Sequence, residues 1–174
     1  LDEDPIHWAS LSWADEFFDM PQRVRAYHTA VRLDRRNDVY ANTLASIYYA
    51  QRDFRNAIAN YLEAIQRAPG NAAYRNALGN AYFNLLDYAR AVEAYQAALA
   101  LDGGFAVYHA NLALTYARLE AWDRSIEAYT KAIEIEPANA GHRNDLGNVC
   151  FSRAEYARAA EAYASSPRTS PRRC

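Results

Sequence analysis

"NALGNAYFNLLDYARAVEAYQAALALD", residues 76–102, contains no glycine-rich loop, acidic pair or cysteine, but sets small residues and tyrosines at regular intervals. Displaced by 34 residues, the stretch falls on its own pattern. Leu44, Leu78, Leu112 and Leu146 share one column, followed by Ala45, Gly79, Ala113 and Gly147, then Tyr48, Tyr82, Tyr116 and Cys150. Further on stand Phe54, Tyr88, Trp122 and Tyr156, then Ala57, Ala91, Ser125 and Ala159, then Tyr61, Tyr95, Tyr129 and Tyr163. Ala64, Ala98 and Ala132 follow, and Pro69, Gly103, Pro137 and Pro171 close the unit. A fixed period of this length marks an array of repeated supersecondary units.

Inside each unit the apolar spacing is that of a helix. Tyr40, Leu44 and Tyr48 lie at i, i+4 and i+8, as do Tyr74, Leu78 and Tyr82. A second run follows in Tyr88, Ala91, Val92, Tyr95, Ala98 and Leu99, with Asp53 and Asp87 placed to cap the second helices. The pattern predicts paired helices at 38–51 with 54–67, 72–85 with 88–101, 106–119 with 122–135, and 140–153 with 156–166. Neither member of a pair buries its apolar stripe alone, so neighbouring units must stack. Gly79, Gly147, Ala57 and Ala91 are the small residues at which backbones would approach. The organisation expected is a degenerate repeat at 1–36, repeats at 38–71, 72–105 and 106–139, a final repeat at 140–166 and a disordered tail at 167–174. In the first of these, "PQRVRAYHTAVRLD" keeps the second-helix pattern, with Arg23 where other units carry Ala or Ser.

Bulk properties bound the function. Charged residues make up 23% and hydrophobic ones 51% of the 174 residues, the profile of a folded chain. A net charge of −2 predicts no general attraction to nucleic acid or anionic membrane, and no run approaches 18 apolar residues, so no membrane insertion is expected. Two cysteines, Cys150 in a periodic segment and Cys174 at the end, favour a reducing, cytoplasmic setting over a disulfide framework. His7, His28, His109 and His142 are scattered along the array without ligands at metal spacing, so no metal, no cofactor and no enzyme activity are expected. Cys150 stands in a tyrosine column and reads as a packed thiol.

The motif "ALGNAYFNLLDYARAVEAYQAAL" resembles the tetratricopeptide repeat (TPR) family: Leu-Gly/Ala, an aromatic three residues later, Ala, an aromatic, Ala and a closing Pro in 34 residues. The resemblance is good over 38–166 and poor over 5–36. It implies an all-α, right-handed superhelical solenoid of antiparallel helix pairs, whose first helices line a concave groove that binds a peptide or helix of another protein. Two departures stand out. The aromatic opening the first helix (Tyr40, Tyr74, Tyr108) sits one residue early, and the turn glycine is replaced by Arg52, Leu86, Glu120 and Ala154, so that a different turn geometry is open.

Carried onto these positions, the groove columns are Asn42, Ser46 and Tyr49 in one repeat, and Asn76, Asn80, Phe83 and Asn84 in the next. Ala110, Asn111, Leu114 and Arg118 follow, then Asn144, Asn148, Phe151 and Ser152. Asn42, Asn76 and Asn144 share a column, and an amide both donates to and accepts from a peptide backbone. Phe83 and Phe151 read either as pocket walls or as core, with core favoured. Arg75, His109 and Arg143 form a mildly basic column that reads as a groove rim or as a solvated face. A lysine clamp for acidic chaperone tails is disfavoured, because Lys131 is the only lysine. The alternatives are self-association through the uncapped last helix (Ala159, Ala160, Tyr163) and service as a regulatory domain of a larger protein.

Overall fold

The computed structural model describes residues 20–164, which are helical throughout apart from turns. The expected segments at 1–19 and 165–174 lie outside the described residues. The helices are α1 (Met20–Leu33), α2 (Asp38–Ala50), α3 (Phe54–Arg67), α4 (Ala72–Asn84), α5 (Tyr88–Leu101), α6 (Ala106–Arg118), α7 (Trp122–Ile135), α8 (Ala140–Ser152) and α9 (Tyr156–Ala164). From α2 onward they occupy the spans the periodicity predicts. The chain divides after Asp87 into two compact units, α1–α4 and α5–α9.

The repeat columns are the core. In the first unit Ala41, Leu44, Ala45, Ala57 and Ala64 are wholly buried, and Tyr61 is nearly so. The second unit buries Ala98, Ala113 and Ala132 with Tyr95 and Tyr129. Small side chains bring helix axes close, and each tyrosine fills the space beside them. Ser125, in an alanine column, is fully buried and donates to the Ala113 carbonyl at 2.8 Å, so its polar atom is satisfied. Cys150 is buried at 1% exposure.

The turn inside each helix pair keeps one geometry without glycine. Arg52, Leu86, Glu120 and Ala154 all have positive φ, between 56° and 67°. In the first turn the Asp53 N–H donates to Tyr48 O at 2.9 Å and the Arg52 N–H to Tyr49 O at 2.9 Å. The same two bonds recur from Asp87 and Leu86, from Ala121 and Glu120, and from Glu155 and Ala154. This is the Schellman closure, which satisfies the last helical carbonyls and requires a left-handed residue. The repeat imposes it on ordinary L-residues at a cost of about 1 kcal/mol each.

Between repeats, asparagine starts the first helices. Asn37, Asn71 and Asn139 each accept from the N–H two residues ahead at 3.0 Å, whereas Phe105, in the same column, makes no side-chain cap. Asp53 caps α3 by accepting from the Asn56 N–H. The rim column is resolved differently from either expectation. Arg75 donates to Pro69 O at 3.0 Å, Arg143 donates to Pro137 O, and His109 lies 3.2 Å from Gly103 O. Each side chain folds back six residues to brace the turn between repeats.

Candidate functional site

The groove columns fall on α2 and α4 in the first unit and on α6 and α8 in the second, and each unit brings its own pair together. In the first, Asn84 Nδ2 donates both to the Tyr49 hydroxyl and to Asn80 O, each at 2.8 Å. The Tyr49 ring meets Phe54 edge-on at 5.5 Å between centroids. Ser46 Oγ donates to Asn42 O and lies 3.4 Å from the Tyr61 hydroxyl. Asn76, Asn80 and Phe83 are half-buried and already engaged within the chain. This pair is a self-satisfied polar seam.

The second unit is more open. Between α6 and α8 lies a pocket of ≈ 270 Å³ lined by Leu114, Arg118, Asp145, Asn148 and Ser152, with Trp122 and Tyr129 behind them. Two sequence-derived columns, Leu114 with Asn148 and Arg118 with Ser152, therefore meet around one cavity. Asn111 sits one turn before Leu114, half-buried and engaged within the chain, and Asn144 is exposed beside Asp145. Phe151 corrects the core reading: it is 60% exposed and packs edge-on against Tyr156, also exposed.

Orientation in the pocket is set by neighbours. Asn148 Oδ1 accepts from the Tyr163 hydroxyl at 2.8 Å, which turns its amide nitrogen into the outward donor. Ser152 Oγ donates to Asn148 O, so its lone pairs face outward as acceptors. Burial pushes the Tyr129 hydroxyl pKa up; the Asp145 charge adds to the rise and Arg118 opposes it. Desolvation also raises the Asp145 carboxyl, with His142 opposing. A cation, a carboxylate, an oriented amide and a hydroxyl thus surround an apolar wall within one small cavity.

Asp145 escaped the sequence reading. It shares a column with Thr43, Ala77 and Asn111, and only its being the lone acid of α8 distinguishes it. Among the described residues no group of three or more His, Cys, Asp or Glu is placed to hold a metal ion, and no helix is long and apolar enough to cross a membrane.

No curated protein matches the chain. Among solved structures, a crystal structure of MamA is similar at TM-score 0.80 and 24% identity, covering 84% of this chain and 86% of its own. MamA from Desulfovibrio magneticus RS-1 is similar at TM-score 0.85 and 17% identity, covering 94% and 93%. YrrB, described as a TPR protein with an unusual peptide-binding site, is similar at TM-score 0.79 and 18% identity, covering 96% and 89%. At these identities the likeness is one of fold. Two family models, each described as tetratricopeptide repeat, match residues 42–104 and 106–139. The chain belongs to the tetratricopeptide repeat family.

Proposed function

We propose that this protein is a non-catalytic interaction scaffold that holds an extended peptide or a helix of a partner protein against its first helices, with the α6–α8 pocket as the anchoring point. The observation that carries the reading is the convergence of Leu114, Arg118, Asn148 and Ser152 on one open cavity. The mechanism is preorganisation: Tyr163 holds Asn148, so little side-chain freedom is lost on binding. The peptide-binding site for which YrrB is described is consistent with it. Cys150 argues against nucleophilic chemistry, because burial raises its thiol pKa rather than lowering it. Within the reading, repeats at 38–71, 72–105, 106–139 and 140–166 follow a degenerate one at 1–36, and the cytoplasm is the working compartment.

The test is a peptide library selected on the full chain. Selected peptides should bind an Arg118→Ala, Asn148→Ala variant at least about tenfold more weakly, a loss of about 1.4 kcal/mol. Equal binding by the folded variant rules out the anchoring pocket. The Asn76→Ala, Asn80→Ala variant asks the same of the first unit.

A second reading, self-association, is favoured by the exposed Phe151–Tyr156 pair beside Tyr163. Light scattering across concentration tests it: a mass that climbs for the native chain and stays at one chain for Tyr156→Ser supports an interface there.

A further inference from the structure

The first unit holds a second concavity away from the groove columns, between α1 and α3. It measures ≈ 780 Å³ and is lined by Arg25, His28, Val31, Arg32 and Arg35, with Glu63 opposite. Residues 20–36 hold five arginines and one aspartate, a net +4, in a chain of net −2. The three lining arginines are exposed, and among the described residues none is ion-paired. The nearby carboxylates are occupied: Glu63 pairs with Arg67 at 2.5 Å, and Asp34 accepts from the Arg36 N–H.

The repeat supplies its own control. An equivalent furrow of ≈ 570 Å³ lies between α5 and α7 in the second unit. His28 shares a hydrogen bond with the Tyr48 hydroxyl at 2.8 Å, and 68 residues on, Gln96 donates to the Tyr116 hydroxyl at 3.0 Å. Val31 corresponds to Leu99 and Glu63 to Lys131, so the same columns build both walls. Yet Arg25, Arg32 and Arg35 correspond to Glu93, Ala100 and Gly103. The fold makes the furrow without arginine in these three columns, so packing does not demand them.

We propose that the α1–α3 furrow binds an acidic segment of a partner protein, independently of the α6–α8 pocket. Guanidinium groups pair with carboxylates through two parallel hydrogen bonds, a geometry an ammonium lacks. Arg25 and Arg32 are two helical turns apart, about 10 Å along α1. In a peptide of polyproline II conformation, residues three apart lie on one face about 9 Å apart, so the segment read best carries carboxylates at i and i+3. Val31 and the arginine stems form an apolar floor that a peptide covers. The other 157 residues total −6, which disfavours a long polyanion such as nucleic acid or a charged bilayer.

The experiment is an anisotropy titration of the full chain with a labelled peptide of about ten residues carrying Glu at every third position, with its Gln counterpart as control. The Glu peptide should bind in a salt-sensitive way and the Gln peptide at least about tenfold more weakly. An Arg25→Gln, Arg32→Gln variant, folded by circular dichroism, should lose at least about tenfold. Arg124→Gln with Lys131→Gln in the equivalent furrow, and Arg118→Ala with Asn148→Ala in the groove pocket, should both bind as the native chain. Equal binding of the Gln peptide or by the arginine variant overturns the proposal, as does no binding at about 1 mM peptide. Tighter, arginine-dependent binding of a single-stranded oligonucleotide or of phosphatidylserine vesicles overturns the peptide assignment in favour of that ligand.

Discussion

Asn84 Nδ2 donates to the Tyr49 hydroxyl at 2.8 Å, joining α2 to α4 across 35 residues of sequence. Two residues the sequence nominates for partner contact thus contact one another. Asn84→Ala and Tyr49→Phe should each lower stability by about 0.5–1 kcal/mol, as expected for one half-exposed hydrogen bond. In a double-mutant cycle by urea unfolding the two should fail to add. Additive losses would show that the bond contributes nothing in solution.

The left-handed turn residues offer a stabilising change. Arg52→Gly and Glu120→Gly relieve a positive φ at exposed sites. The relief exceeds the entropy glycine gains in the unfolded chain, so each should add about 0.5 kcal/mol. Glycine at Leu86 and Ala154 should act alike, and the four should add in thermal unfolding because the turns are separate.

Gly147 cannot become alanine without displacement, because an added Cβ would clash with the edge of the Tyr163 ring. Ala45 and Ala113 hold the same column fully buried, so the constraint is local to the last hairpin. Gly147→Ala should cost about 1–3 kcal/mol, and Tyr163→Ala should restore part of it.

Phe105 opens α6 without a side-chain cap, whereas Asn37, Asn71 and Asn139 cap their helices. Phe105→Asn should stabilise by about 0.5–1 kcal/mol, reduced by loss of the contact with the Tyr108 ring at 5.2 Å. A rise in Tm with unchanged denaturant dependence checks it.

Alkaline sensitivity follows from the tyrosines. Burial raises the pKa of Tyr61, Tyr108 and Tyr129, and burial with the bond to Asp38 lifts Tyr74 to about 12. Above the ordinary value of 10.0 the unfolded chain releases these protons while the fold retains them. The stabilisation is therefore complete below pH 10 and is lost as pH climbs toward about 12. Tm should hold from neutral pH to about 9.5 and then fall steeply, with these four tyrosines ionising together with unfolding. Ionisation of Tyr61, Tyr74, Tyr108 and Tyr129 at about pH 10 in a fully folded chain, read by residue-resolved NMR, would contradict it.

What the sequence determined by itself was the repeat, the helix spans and the core, because a 34-residue period constrains every buried column at once. Leu44, Tyr61 and Ala98 needed no coordinates to be placed inside. The use of the polar columns was decided only by the tertiary structure. Arg75 and Arg143 look like rim charges until their guanidinium groups are seen to fold back on Pro69 and Pro137. Asn148 and Asn84 look alike in the columns, yet one opens on a cavity and the other closes on Tyr49. The turn shows the same division. The sequence lacks glycine at Arg52, and only the packed pair of helices on either side forces the left-handed backbone there. Burial follows from periodicity, which is local and additive. The direction in which a polar side chain spends its hydrogen bonds depends on which neighbour a distant helix places within 3 Å, and no column records that.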